Sequence, residues 1–206
     1  VDILILSAGF EDRAIQVLKW AEFAEGLHCI LIRYKNDIPE NDRVFGEYLR
    51  LANERFGKDR TFIVEVGLSD IDGFSSRLSN LLNDLPRSLY RAALDVSGCT
   101  AYVICLVLKC LRERFPFGAQ RIFYTAAKQY YPSFDEYEQM RTKAGDEDIE
   151  SLPRSMALEM SRNLVLEEFA GHRSRDARSC LVIFAGYEIH RSSGVIDAVN
   201  PALLLL

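Results

Sequence analysis

Asp2-Ile3-Leu4-Ile5-Leu6-Ser7-Ala8-Gly9-Phe10-Glu11-Asp12-Arg13 is an apolar run that breaks at a glycine and turns toward helical spacing. A strand that ends this way is where open α/β sheets keep their chemistry. The phrase returns near the end of the chain. Leu181–Phe184 is again apolar, and Ala185-Gly186-Tyr187-Glu188-Ile189-His190-Arg191 repeats Ala-Gly-aromatic-Glu with an arginine shortly after. Two copies imply two related half-sites or two related domains.

Outward from the first copy, strand and helix alternate as far as residue 125. Ala14, Val17, Leu18 and Ala21 give Asp12–Phe23 helical spacing. His28–Tyr34 is a second apolar strand, and Glu40–Phe56 a helix with Val44, Tyr48, Leu51 and Ala52 on one face. Thr61–Val66 is the third strand. Ile71–Leu82 follows as a helix whose inner stripe is Phe74, Leu78 and Leu81. Tyr90–Val96, the helix Ala101–Phe115 and the strand Arg121–Thr125 complete the series. Strands apolar throughout need helices on both faces of a parallel sheet. Right-handed crossovers then predict a Rossmann-like, doubly wound α/β fold, mostly parallel, with strand order 3-2-1-4-5.

Residues 1–126 are thus expected to form the Rossmann-like core. Residues 127–179 break the rhythm with aromatic residues, an acidic stretch and one helix after Pro153, and read as an insertion or cap. Residues 180–206 add strand, turn and strand, which complete the sheet or start a second similar unit. In a single sheet the second Ala-Gly-Tyr-Glu copy would lie at least two strands from the first, roughly 10–15 Å at about 4.8 Å per strand. The chain begins and ends in apolar strands, so a longer parent protein is the expectation, unless the last strands complete the sheet.

The 206 residues are 49% hydrophobic and 27% charged, as in a globular domain. No apolar run approaches the roughly 20 residues that span a bilayer. Cys29, Cys99, Cys105, Cys110 and Cys180 form no CxxC pair and no disulfide framework, which points to reduced thiols in a cytosolic protein. His28, His172 and His190 are scattered, so no metal site is expected. The net charge of −5 resides in the acidic stretch between Asp135 and Glu150, and no basic surface of the size duplex nucleic acid needs is visible.

In the 3-2-1-4-5 order, strands one and four are neighbours whose helices leave on opposite faces. A crevice therefore opens between their carboxyl ends. Ser7, Gly9 and Phe10 lie in one loop there, and Asp95, Ser97, Gly98 and Thr100 in the other. Each glycine lets backbone approach a ligand, and each loop feeds a helix N-terminus that attracts phosphate or carboxylate. Ser97 and Thr100 add hydroxyl donors, and Arg13 opposes negative charge. Tyr124, closing strand five, could border the crevice and stack on a base. Glu188 and Arg191 repeat Glu11 and Arg13 in the second copy. Alternatively, Ser97 or Thr100 is only a helix cap, and Asp95 only ties down loop amides. GxGxxG, P-loop and GxSxG motifs are absent, which disfavours dinucleotide redox chemistry and Walker-type ATP hydrolysis.

Leu94-Asp95-Val96-Ser97-Gly98-Cys99-Thr100 resembles the Asp-x-Thr-Gly-Gly-Thr type loop of CRISPR-associated Rossmann-fold (CARF-like) sensor domains. Ser97 stands for a threonine, Cys99 for the second glycine, and Ala101 where a lysine is frequent. The resemblance implies a ligand such as a cyclic oligonucleotide, held by Ser7–Phe10 and Asp95–Thr100, a homodimer or partner protein, and a place in antiviral defence.

The expected function is a cytosolic module that senses a nucleotide or another small anion, with no separate cofactor. A nucleotide- or nucleoside-processing hydrolase using Glu11 and Asp95 as paired carboxylates is the alternative. A purely structural interaction subunit is the second alternative.

Overall fold

Ile3–Ser7 (β1) is buried at every position, because it lies inside a parallel sheet between His28–Tyr34 (β2) and Arg91–Asp95 (β4). Thr61–Val66 (β3) pairs with β2, and Ala119–Phe123 (β5) with β4. The order is β3-β2-β1-β4-β5, all parallel, in the computed structural model of the chain. The sequence expectation of a doubly wound α/β sheet holds. The structure describes residues 1–9, 12–23, 25–35, 39–67, 70–116 and 118–126, together with 135, 138, 139, 142, 180–182, 196 and 201–205.

Four helices connect these strands: Gln16–Trp20 (α1), Pro39–Phe56 (α2), Ile71–Asp84 (α3) and Ala101–Arg114 (α4). α1 packs with α2, and α3 with α4. Side chains alternate across a strand, so each pair of helices receives its own set. Leu4, Leu6, Leu31, Leu18, Tyr48 and Ala52 form one buried cluster. Ile3, Ile5, Ile30 and Ile32, equally buried, point the other way. Each of these leucine and isoleucine side chains contributes about 1.5–3 kcal/mol when removed from water.

Three sequence readings are corrected. Asp12–Phe23 is a 3-10 turn over Asp12–Ile15 followed by the short α1. The stripe of α3 runs Phe74, Leu78, Leu82, the i, i+4, i+8 series, with Leu81 half-buried beside it. β5 starts and ends two residues earlier than Arg121–Thr125. It is an edge strand whose first four residues are exposed, so burial leaves no apolar alternation to mark its limits.

The amino ends of β1 and β4 are tied by Asp2. Its Oδ1 accepts from Arg91 Nη2 (2.6 Å) and Nε (3.0 Å), and its Oδ2 from the amides of Tyr90 (3.1 Å) and Arg91 (3.0 Å). The Arg91 bonds, helped by the amides, outweigh desolvation and hold the carboxyl at about 2, below its ordinary 3.8. A depressed acid stabilises the fold above pH 3.8 and loses that contribution as pH falls through about 2. Arg91 is half exposed, so solvent screens the pair. Asp2→Asn is expected to cost about 1 kcal/mol at pH 7. In urea melts at pH 7, 4 and 2 the difference from wild type should vanish toward pH 2.

The chain divides into two units, Val1–Lys128 and Gln129–Leu206. In the second, Cys180–Val182 (β6) and Leu203–Leu205 (β7) pair in parallel as a separate two-stranded sheet, in the register Cys180↔Leu203. The expected insertion, residues 127–179 with its helix after Pro153, lies outside the described residues except for 135, 138, 139 and 142. Among the described residues no helix is long and apolar enough to cross a membrane.

Candidate functional site

The carboxyl ends of β1 and β4 bring the two predicted loops into contact. Ser7 Oγ donates to the Gly98 carbonyl. A Cβ on Gly98 would stand 2.8 Å from Ser7 O and 2.9 Å from Ala14 Cβ, and one on Gly9 would stand 3.1 Å from Gly98 Cα. Both glycines are therefore spent on the approach of one loop to the other, where the sequence suggested the approach of a ligand.

Asp95 turns the β4–α4 loop. Its Oδ1 accepts from the Ser97 amide (3.0 Å) and from Ser97 Oγ (2.5 Å). This is the short-range turn that aspartate makes two residues ahead of itself. The residue is 1% exposed, and among the described residues its Oδ2 has no hydrogen-bond partner. Burial pushes the carboxyl up; the Ser97 bonds and the Arg13 charge oppose this. Having donated its proton to Asp95, Ser97 Oγ accepts the Thr125 amide at 2.7 Å.

Arg13 closes the same circuit from the β1 side. Its Nη1 donates to Tyr124 Oη (2.9 Å) and lies 3.4 Å from the Thr125 carbonyl, with the guanidinium 5.3 Å from the Tyr124 ring centroid. β1, β4 and β5 thus share one polar network: Ser7–Gly98, Asp95–Ser97–Thr125, Thr125–Arg13–Tyr124.

Tyr34, not among the residues that the sequence motifs single out, caps the other side. Its hydroxyl accepts the Thr100 amide at 2.8 Å and lies 3.4 Å from both Gly98 O and Thr100 Oγ1. Burial pushes its phenol up. A signal for it exists in the strand pairing. Ser7 pairs with Ile32, so Tyr34 overhangs the end of β1 by two residues and reaches the crevice. Thr100 precedes α4 in extended conformation and makes no side-chain cap bond. Cys99 Sγ donates to Asp95 O at 3.3 Å, and burial pushes its thiol up to about 11, so it stays protonated and unreactive near neutral pH.

The predicted residues therefore separate. Ser7, Asp95 and Ser97 are interior and hold the loops. Thr100 and Tyr124 are exposed, and Arg13, Tyr34 and Gly98 half-buried. Phe10, Glu11, Glu188 and Arg191 lie outside the described residues. Among the described residues no cluster of three or more His, Cys, Asp or Glu is arranged to hold a metal ion. No protein-family model matches the chain, and no curated protein sequence is significantly similar to it.

Proposed function

We propose that the Val1–Lys128 unit is a nucleotide- or small-anion-binding sensor module. The observation that carries the reading is the amino end of α4. It opens at the crevice where the strand order reverses, and Thr100 leaves its hydroxyl unused for capping. The first amides of a helix lack acceptors within it and carry partial positive charge, which suits phosphate. Tyr124 is 56% exposed on the neighbouring strand end, where its ring can take a base. The likeness of the Leu94–Thr100 loop to that of CARF-like sensors favours a cyclic or linear nucleotide over an unrelated anion. It also supports a role in antiviral defence, with a second copy or a partner protein reading the signal. The hydrolase alternative draws less support, because Asp95 is closed to solvent and engaged by Ser97.

A panel of AMP, ADP, ATP, cyclic mononucleotides and cyclic dinucleotides should contain one that raises the melting temperature by several degrees. Saturation at 100 times the dissociation constant corresponds to about 2.7 kcal/mol. Thr100→Val and Tyr124→Ala, both at exposed positions, should keep the fold and lose most of the shift. A panel that leaves the wild type unmoved contradicts the proposal.

A further inference from the structure

α3 and α4 pack together, and their last turns flank a cavity of about 440 Å³. Ser79, Asn83 and Arg87 line it from α3 and the turn that follows, and Cys110, Glu113 and Arg114 from α4. α4 starts at the candidate site, and the helical rise puts Glu113 about 20 Å from Thr100, toward the amino ends of the strands. Arg114 is held in place by the protein itself. Its Nε donates to Leu82 O at 3.0 Å, its Nη2 lies 3.5 Å from Leu85 O, and its guanidinium stands 4.8 Å from the Phe115 ring centroid. These contacts cap the last carbonyls of α3 and leave Nη1 uncommitted among the described residues. The Arg87 guanidinium, exposed on the turn, has no ion pair or hydrogen bond among the described residues. Glu113, the acid of the cavity, lies 3.8 Å from Lys109 Nζ one turn back. Two guanidiniums against one paired acid make the cavity positive in a chain of net charge −5. Its floor is neutral: the Cys110 thiol, 2% exposed, takes a hydrogen bond from Ser79 Oγ at 3.4 Å.

We propose that this cavity is a second binding site, for a small oxyanion: a carboxylate or a phosphate. Arg114 Nη1 and Arg87 donate to its oxygens, and the Asn83 amide adds a third donor. Arginine presents a planar fork that fits either group, and a fork already held by Leu82 and Leu85 loses little freedom on binding. A bound anion ties the turn between α3 and β4 to the end of α4. The site shares no residue with the crevice between the β1 and β4 loops, and it stands whether or not that crevice takes a nucleotide.

Inorganic phosphate and malonate, titrated separately into the intact isotope-labelled chain, test it. One or both should give saturable shifts of the Asn83, Arg87, Glu113 and Arg114 amides and of the Arg87 and Arg114 Nε–H signals. The responding anion names the group that the site takes. Arg87→Met, at an exposed position, should keep the fold and raise the dissociation constant about tenfold, the scale of one charge-assisted hydrogen bond. Arg114→Lys keeps the charge, loses the fork and should weaken binding as well. Lys58→Met, exposed ahead of β3 and outside the cavity, removes the same charge and should leave the dissociation constant unchanged. Saturation at these residues with neither anion overturns the proposal. So does a dissociation constant that Arg87→Met leaves unchanged, or that Lys58→Met raises equally.

Discussion

Gly98→Ala is expected to cost about 3 kcal/mol of stability, as much as many deletions in a packed core. The added carbon would stand 2.8 Å from Ser7 O, 2.9 Å from Ala14 Cβ and 3.1 Å from Gly9 N. Two of these are backbone atoms, and the third is a short side chain on the turn after β1. None can swing aside as the end of a long side chain would. Relief requires the β1 and β4 loops to part, which breaks the Ser7–Gly98 bond and disturbs Tyr34 above it. Gly46→Ala gives the contrast. Gly46 lies inside α2, and a Cβ placed there would meet nothing within 4 Å. At that position alanine should stabilise by about 0.5–1 kcal/mol, because glycine loses more backbone entropy in a helix. Chemical denaturation of the two variants should move the midpoint in opposite directions. A neutral Gly98→Ala would mean that the loops are not in contact.

Asp95→Asn should raise stability at neutral pH, by about 1–2 kcal/mol. Oδ1 of the amide can still accept from the Ser97 amide and hydroxyl, so the turn survives. What disappears is a carboxylate charge in an interior position, with one oxygen that has no partner among the described residues. The new NH2 group also lacks an acceptor there, but a neutral polar group costs less to bury than a charge. The pH dependence follows from the raised carboxyl. A group whose folded value lies above its ordinary 3.8 stabilises the fold fully below 3.8 and loses that contribution as pH rises through the folded value. Wild type should therefore lose ground to Asp95→Asn as pH climbs from about 4 toward neutral. Melts across that range measure it. An Asp95→Asn chain less stable than wild type at pH 7 would show that the carboxylate is partnered in solution.

The first four strands are legible in the sequence because their apolar content is nearly continuous and the sheet interior buries most of β1, β2 and β4. His28–Tyr34 and Thr61–Val66 have the bounds their apolar content predicts, and the order 3-2-1-4-5 follows from handedness and spacing. β5 departs from its expected bounds because an exposed edge strand carries no such pattern. Ser7, Asp95, Ser97 and Arg13 can be grouped from sequence because topology puts strand ends one and four side by side. Their roles are not legible. Whether Asp95 faces a ligand or its own loop depends on side-chain direction within a turn, which spacing does not encode. Tyr34 escapes for the same kind of reason: its reach depends on the β1–β2 register, which places its hydroxyl on the Thr100 amide.

The central claim is that the amino end of α4, beside Tyr34 and Tyr124, receives a nucleotide. Amide chemical shifts of the isotope-labelled chain, followed while AMP, ADP, ATP, cyclic mononucleotides and cyclic dinucleotides are added in separate titrations, test it most directly. The account predicts saturable shifts concentrated at Gly98–Val103, with Tyr34 and Tyr124 moving in step, and their loss in Thr100→Val. Saturable shifts confined to other parts of the Val1–Lys128 unit, or none with any nucleotide of the panel, would contradict it.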